Sequence, residues 1–290
     1  MIDIDGYNTI MKKIKASIPS EEPPYEEFSD ASWELSRQEV PAAIGYFSWG
    51  PVQIEEPLWV LCRNGQVWMS NSPRELESMQ YAIYRAKGTV VIGGLGMGWV
   101  AWKCALKDSV DEVIVIEKDE ELIEMFPKMI GGAEPPFTIH QGDIFDVRMS
   151  DLGVEDVDFM FLDIWAVIGT DTTLPEARKI HVSIPAKELN YWGQESDIGM
   201  FSLENGPLLT DDEKLDLMSL MSSVLSNEKD DNFKKALSRV GTDVVNKFID
   251  SVELPLSGRD EDGYGGLCSI VTANSMMEFM NANTLLRLAG

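Results

Sequence analysis

The sequence predicts an α/β protein built on a parallel sheet, and three observations predict it. Short runs rich in apolar and β-branched residues recur at Thr89–Ile92, Val113–Ile116, Phe137–His140 and Asp158–Leu162. Such runs, apolar without strict alternation, suit strands covered on both faces. A glycine cluster, Gly93, Gly94, Gly96 and Gly98, follows the first run at once, and a helical stretch follows the cluster. Three of the strand ends deliver an acid: Glu117, Asp143 and Asp163. Strand, glycine turn, helix and strand make one βαβ unit, and the sheet is therefore Rossmann-like.

Taken in order, residues 1–40 read as an N-terminal arm. Residues 1–17 fit a short amphipathic helix carrying Lys12, Lys13 and Lys15. The proline-rich, acidic stretch 18–30, IPSEEPPYEEFSD, fits a linker or a surface-hugging arm. Residues 41–87 read as a small β element plus a linking helix. Leu58–Cys62 and Gln66–Met69 flank Arg63-Asn64-Gly65, and Asn-Gly is a strong hairpin signal. Ser72 as N-cap, Pro73 at the first helical position and Glu75 two residues later spell a capping box.

Residues 88–166 form the core of the reading. Trp99–Leu106 is its first helix, and Pro127 is expected to end or kink the helix that starts at Glu120. Beyond Trp165 the chain, 167–290, reads as a mainly helical C-terminal region, expected to cap one side of the site. Helices are expected over Leu174–Asn190, Asp211–Leu225, Asp231–Val252 and Ser275–Leu288, with Leu267–Thr272 strand-like or buried. No further βα repeat is visible, so the sheet reads as truncated after its fourth strand.

The glycine unit has a definite physics. Glycines allow a tight turn and close approach of backbone N–H groups. Glu117 lies nineteen residues after Gly98, near the ~20 at which an acid meets ribose hydroxyls. The pattern therefore points to a nucleoside-type cofactor. The plainer alternative is a glycine turn that serves close packing alone.

Composition narrows the rest. No apolar run reaches the ~20 residues that span a bilayer. The first residues lack an apolar signal-peptide segment, and three scattered cysteines suit a reducing compartment, so a cytoplasmic location is expected. Two histidines and no CxxC argue against a metal site. A net charge of −25 argues against a nucleic-acid substrate. It otherwise reads as solubility, or as a preference for a cationic substrate or basic partner.

These residues resemble the class I S-adenosylmethionine (SAM)-dependent methyltransferases. VVIGGLGMG at Val90–Gly98 is similar to their first motif and VIVIEKD at Val113–Asp119 to the second. Gln141-Gly142-Asp143-Ile144 is similar to the third and DFMFLDIW at Asp158–Trp165 to the fourth. The small β element and the glycine pair resemble the spermidine-synthase-like branch. WMSNSPRELESMQYAIYRAKGTVVIGGLGMG looks like uncharacterised bacterial and phage methyltransferase-like proteins. The resemblance implies SAM as cofactor, held by Gly93, Gly94, Gly96, Gly98, Glu117, Lys118, Asp143, Ile144 and Asp163. It gives Glu117 the ribose hydroxyls and Asp143 the adenine amino group. Asp163 becomes the candidate base, with Trp165, and Tyr191 and Trp192 beyond it, as walls of an acceptor pocket.

Two departures stand out. Ile92 occupies a position where many such enzymes carry an acid, so the methionine amino group must be bound from elsewhere. Ala166 replaces the second acid of the branch's D-x-x-D, which weakens a polyamine reading. The expectation is a methyltransferase acting on a small molecule or protein, with a homo-oligomer allowed. The alternatives are a non-catalytic SAM-binding interaction module, an aminopropyl transferase and an NAD-dependent oxidoreductase.

Overall fold

The structure, a computed structural model, describes residues 4–30, 32–47, 51–205, 242–259, 263–268 and 270–272. Its elements in chain order begin with α1 (Ile4–Ser17), β1 (Phe28–Ser29), β2 (Trp33–Gln38), β3 (Ala42–Ile44) and β4 (Pro51–Gln53). The hairpin strands β5 (Leu58–Arg63) and β6 (Gln66–Ser70) and the helix α2 (Pro73–Arg85) follow. Next come β7 (Gly88–Gly93), α3 (Trp99–Ala105), β8 (Val110–Glu117), α4 (Glu120–Met129), β9 (Thr138–Gln141) and β10 (Val157–Leu162). The series closes with α5 (Thr173–Ser183), β11 (Ala186–Tyr191), α6 (Gln194–Asn205) and α7 (Thr242–Val252). The chain divides into two compact units. One holds residues 13–192 with 254–257, and the other holds 1–12, 193–253 and 258–290.

The larger unit contains a five-stranded sheet of order β11-β10-β7-β8-β9, parallel throughout. The four strands read from the sequence share this sheet, and β7 is central. The chain runs outward from β7 through β8 to β9, then crosses back to β10 on β7's other side. The junction of β7 and β10 is therefore the point where strand order reverses, and open α/β sheets bind ligands beyond the carboxyl ends of strands there.

A fifth strand, β11, corrects two expectations: the sheet does not stop at its fourth strand, and Leu174–Asn190 is not one helix. Pro185 explains the break. It lacks an N–H and cannot continue α5, and the backbone beyond it is free to extend. Ala186–Tyr191 has little β-branched character, so its strand state comes from pairing with β10. Arg85 anchors it through a two-pronged contact with Glu188, at 2.7 and 3.1 Å. The strand's outer edge is not bare either. Leu256 makes a parallel bridge to Leu189, and Asn190 donates to the Ser257 hydroxyl at 2.9 Å.

A second, antiparallel sheet of order β1-β2-β5-β6 begins inside the stretch expected to be a linker or arm. Asn64 and Gly65, at φ 50° and 74°, turn the hairpin as Asn-Gly should. Trp33, Leu35 and Leu61 of this sheet share one apolar core with Val90, Ile92, Phe159 and Phe161 of the parallel sheet. The strands Ala42–Ile44 and Pro51–Gln53 pair separately.

The proline-rich stretch hugs the fold tightly. Lys103, 1% exposed, donates to the Pro19 and Glu21 carbonyls and to the Glu22 carboxylate at 2.6–2.9 Å. Tyr25 donates to the Met97 carbonyl at 2.9 Å, and burial pushes its phenol well above the usual range. Pro127 does not end its helix. It sits in the last turn, and α4 runs on to Met129 before two glycines of positive φ, Gly131 and Gly132, close it. The missing N–H removes one backbone bond, and burial of Phe126 and Met129 on either side of it in the core offsets the loss.

In the smaller unit α6, α7 and the helical segments 264–268 and 270–272 are described. Phe201 packs edge-on against Phe248, 5.5 Å between centroids, and Gln194 donates to the Tyr264 hydroxyl at 3.1 Å. Leu267–Thr272 is buried where described, and helical rather than strand-like. The expected helices Asp211–Leu225 and Ser275–Leu288 lie outside the described residues, as does the first part of Asp231–Val252. Among the described residues no helix is long and apolar enough to cross a membrane.

Candidate cofactor and active site

A cavity of about 490 Å³ opens at the carboxyl end of the parallel sheet. It gathers Gly94 and Gly96 of the turn after β7, Glu117 and Lys118 after β8, Asp143 and Ile144 after β9, and Asp163 and Trp165 after β10. With Trp192 after β11, nine of the residues singled out from the sequence meet in one place, while Tyr191 is buried and does not line the cavity. Gly93 and Gly98 are not among its lining. Gly93 packs against the side chains of Ile144, Leu162 and Ile164, and a Cβ on Gly98 would strike the Phe126 ring.

The glycine turn is tight for a reason the structure shows. Gly94, Gly96 and Gly98 have φ of 95°, 51° and 72°, in the left-handed region. A Cβ on Gly94 would strike the Asp163 carbonyl, and one on Gly96 the Met69 thioether. Packing against protein therefore accounts for these glycines. At seven residues, α3 is too short for its N-terminus to act as a site for an anion.

Glu117 is 9% exposed, and both of its oxygens accept backbone N–H groups: Leu95 at 2.8 Å and Asp119 at 2.7 Å. The carboxylate thus ties the glycine turn to the end of β8 and still has lone pairs for hydroxyl donors. Asp143 accepts the Phe145 N–H at 3.0 Å. Arg63 reaches across from the hairpin to Asp119 at 2.5 Å and lies over the Trp33 ring. Asp119 also caps α4 through the Leu122 N–H, at 3.0 Å. Lys118 is exposed at the mouth.

The β10 side has a different character. Asp163 is half-buried, and among the described residues nothing donates a hydrogen bond to its carboxyl. Burial first, and the charge of Glu75 second, push its pKa to about 7. Glu75 lines the same cavity, and burial raises its own pKa. Its expected capping box is half made. The Glu75 N–H reaches the Ser72 hydroxyl at 3.5 Å, but the Glu75 carboxylate accepts from the Ser70 N–H at the end of β6. Trp165 donates its indole N–H to Glu176 at 2.6 Å and Trp192 donates its own to Ser78 at 2.8 Å.

Sequence reading missed Glu75 as a site residue, along with Glu176, Arg63 and the hairpin residues Trp68 and Met69. Glu75 carried a signal only as a helix-capping acid. The Asn-Gly turn marked the hairpin, but nothing in its residues says that it walls a cavity after β7.

The lining carries five carboxylates, Glu75, Glu117, Asp143, Asp163 and Glu176, against two cations, Arg63 and Lys118. Such a cavity repels a pyrophosphate and suits a nucleoside bearing positive charge. These residues fit SAM: acids at the ends of β8 and β9 can accept hydroxyl and amino protons, and no phosphate-binding group is needed. Among the described residues no group of three His, Cys, Asp or Glu side chains is placed to hold a metal ion.

No protein-family model matches the chain, and no curated protein matches it. Solved structures similar to it include a dimethyladenosine transferase from Plasmodium falciparum, with 18% identity and a TM-score of 0.33. That match covers 50% of this chain and spans only about half, 51%, of the other. A putative S-adenosyl-L-methionine-dependent methyltransferase from Methanococcus maripaludis matches at 16% identity over 57% and 67% of the two chains, TM-score 0.29. Spermidine synthase from Thermotoga maritima matches at 12% identity over 57% and 63%, TM-score 0.31. Scores of this size carry no argument about chemistry, which rests on the cavity.

Proposed function

We propose that the chain is a SAM-dependent methyltransferase acting on a small molecule or a protein. The observation that carries this reading is the acid-rich, phosphate-averse cavity at the reversal point of a parallel sheet. When bound, SAM supplies a methyl group activated by a sulfonium. The residues supply position and orientation. Glu117 takes the ribose hydroxyls and Asp143 the adenine amino group, while Gly94, Gly96, Lys118 and Ile144 frame the nucleoside. Asp163 orients the acceptor nucleophile and accepts its proton. A base that titrates near neutrality suits that task. Trp165 and Trp192 wall the acceptor, their rings fixed by Glu176 and Ser78.

Mass spectrometry of nucleosides that co-purify with the protein tests the cofactor, and SAM or its demethylated product is expected. NAD or 5′-methylthioadenosine in its place would redirect the reading, to hydride or aminopropyl transfer respectively. With an acceptor in hand, Asp163→Asn should leave SAM affinity within a few-fold and lower the single-turnover rate. Tight SAM binding with no turnover on any acceptor would favour an interaction module.

A further inference from the structure

SAM ends in an amino acid, and its ammonium needs an anion. The turn that follows β7 has none to give: Ile92, Leu95 and Met97 are apolar, and Gly94 and Gly96 offer only backbone. Across the sheet the strand ends run Asp143 after β9, Glu117 after β8, the glycine turn after β7, then Asp163 after β10. Base at Asp143 and ribose at Glu117 send the amino-acid chain past the turn toward β10 and α2. Three acids line that end of the cavity. Glu176 is occupied by the Trp165 indole. Asp163 stands against the Gly94 turn, and the proposed chemistry uses it.

Glu75 remains. Its Oε2 is fixed by the Ser70 N–H, and the Ser70 hydroxyl also bonds the carboxylate, which keeps lone pairs for a further donor. Both tryptophan N–H groups nearby are consumed by protein acceptors. This end of the cavity therefore offers acceptors and aromatic faces but few donors, the complement of an ammonium group. We propose that Glu75, delivered from α2 rather than from the glycine turn, binds the ammonium of the cofactor's amino-acid end. It supplies from another element the charge that Ile92 withholds.

The inference rests on the SAM reading, and calorimetry on the full chain separates the two. The probes are SAM, S-adenosylhomocysteine and 5′-methylthioadenosine, which lacks the amino-acid end. Glu75→Gln keeps an acceptor for Ser70, so the start of α2 is retained. It should weaken SAM and S-adenosylhomocysteine at least tenfold and leave 5′-methylthioadenosine within twofold. Glu75→Asp, which keeps the charge, should recover part of the loss. Equal losses for all three ligands, or no loss for any, would overturn the assignment while leaving the cofactor reading in place. So would a variant that binds SAM normally and loses only an amine acceptor. If no adenosyl compound binds the wild-type protein, the cofactor reading falls, and the role of Glu75 falls with it.

Discussion

The two ends of the cavity are built on opposite terms. At the nucleoside end the polar groups have protein partners. Glu117 takes two backbone N–H groups, Asp143 takes one, and Arg63 is held by Asp119. At the β10 end Glu75 is held by the N–H and the hydroxyl of Ser70, but Asp163 has no donor among the described residues. A polar group withdrawn from water costs free energy unless a partner replaces the water. The first end is therefore stable by itself, and ligand adds to it. The second end carries an unmet demand, and only a donor-rich ligand meets it. The difference separates what the fold needs from what the function needs.

The nucleoside end should break hardest, through folding. Gly98→Ala forces a side chain into the left-handed region and against Phe126. A loss of about 3 kcal/mol is expected from strain and overpacking together, measured by chemical denaturation. A cost below ~1 kcal/mol would mean that the turn relaxes, and that its tightness is not imposed by α4.

Glu117→Ala comes next. Two N–H groups lose a charged acceptor, and bonds of that kind are worth about 1.5–3 kcal/mol each before relaxation and entering water offset them. About 2 kcal/mol of stability should go, and SAM affinity should fall at least tenfold, which is ~1.4 kcal/mol. Glu117→Gln keeps one acceptor oxygen and should lose less on both counts. Unchanged SAM binding in Glu117→Ala would remove the cofactor assignment.

The same contrast governs how much could be read before the structure. The glycines and acids of the nucleoside end come from one contiguous stretch, residues 88–143, whose strand, turn and acid spacing follow local rules, and the hairpin residues Arg63 and Met69 join from outside it. The β10 end is assembled from residues 75, 163, 176 and 192, on four separate segments. No periodicity links Glu75 to Asp163, and the capping role that Glu75 announces is only half of what its side chain does. The strand Ala186–Tyr191 was hidden for a related reason. Its residues do not favour extension, and pairing with β10 decides their state. Pro185 was the one local signal, and it marked where α5 must end.

Asp163 gives a smaller effect with a definite sign. Its folded pKa of about 7 lies above the ordinary 3.8, so the folded protein binds this proton more tightly than the unfolded chain. The stability it contributes is complete below the unfolded value and is lost as pH rises toward and through about 7. Asp163→Asn removes that decline. The variant should therefore gain on the wild type steadily between pH 4 and pH 7, by denaturation at each pH. Parallel pH profiles would show that the carboxyl is solvated and that the β10 end makes no demand.

The smallest effect tests whether the two acids of that end share a field. Burial is the larger cause of the Asp163 shift and Glu75 the lesser. The charge of Glu75 raises the Asp163 pKa, and burial raises that of Glu75 itself. Glu75→Gln keeps the shape and the acceptor for Ser70 but removes that charge. The Asp163 midpoint, followed by carboxyl carbon resonance, should fall and yet stay above 3.8, because burial persists. A midpoint unmoved by Glu75→Gln would mean that solvent screens the pair, and the ends of the cavity would then differ less than the hydrogen bonds imply. A midpoint returned all the way to 3.8 would make Glu75, not burial, the source of the shift. In that case an ammonium bound at Glu75 would itself neutralise the charge and lower the Asp163 pKa, so that binding the cofactor would ready the base.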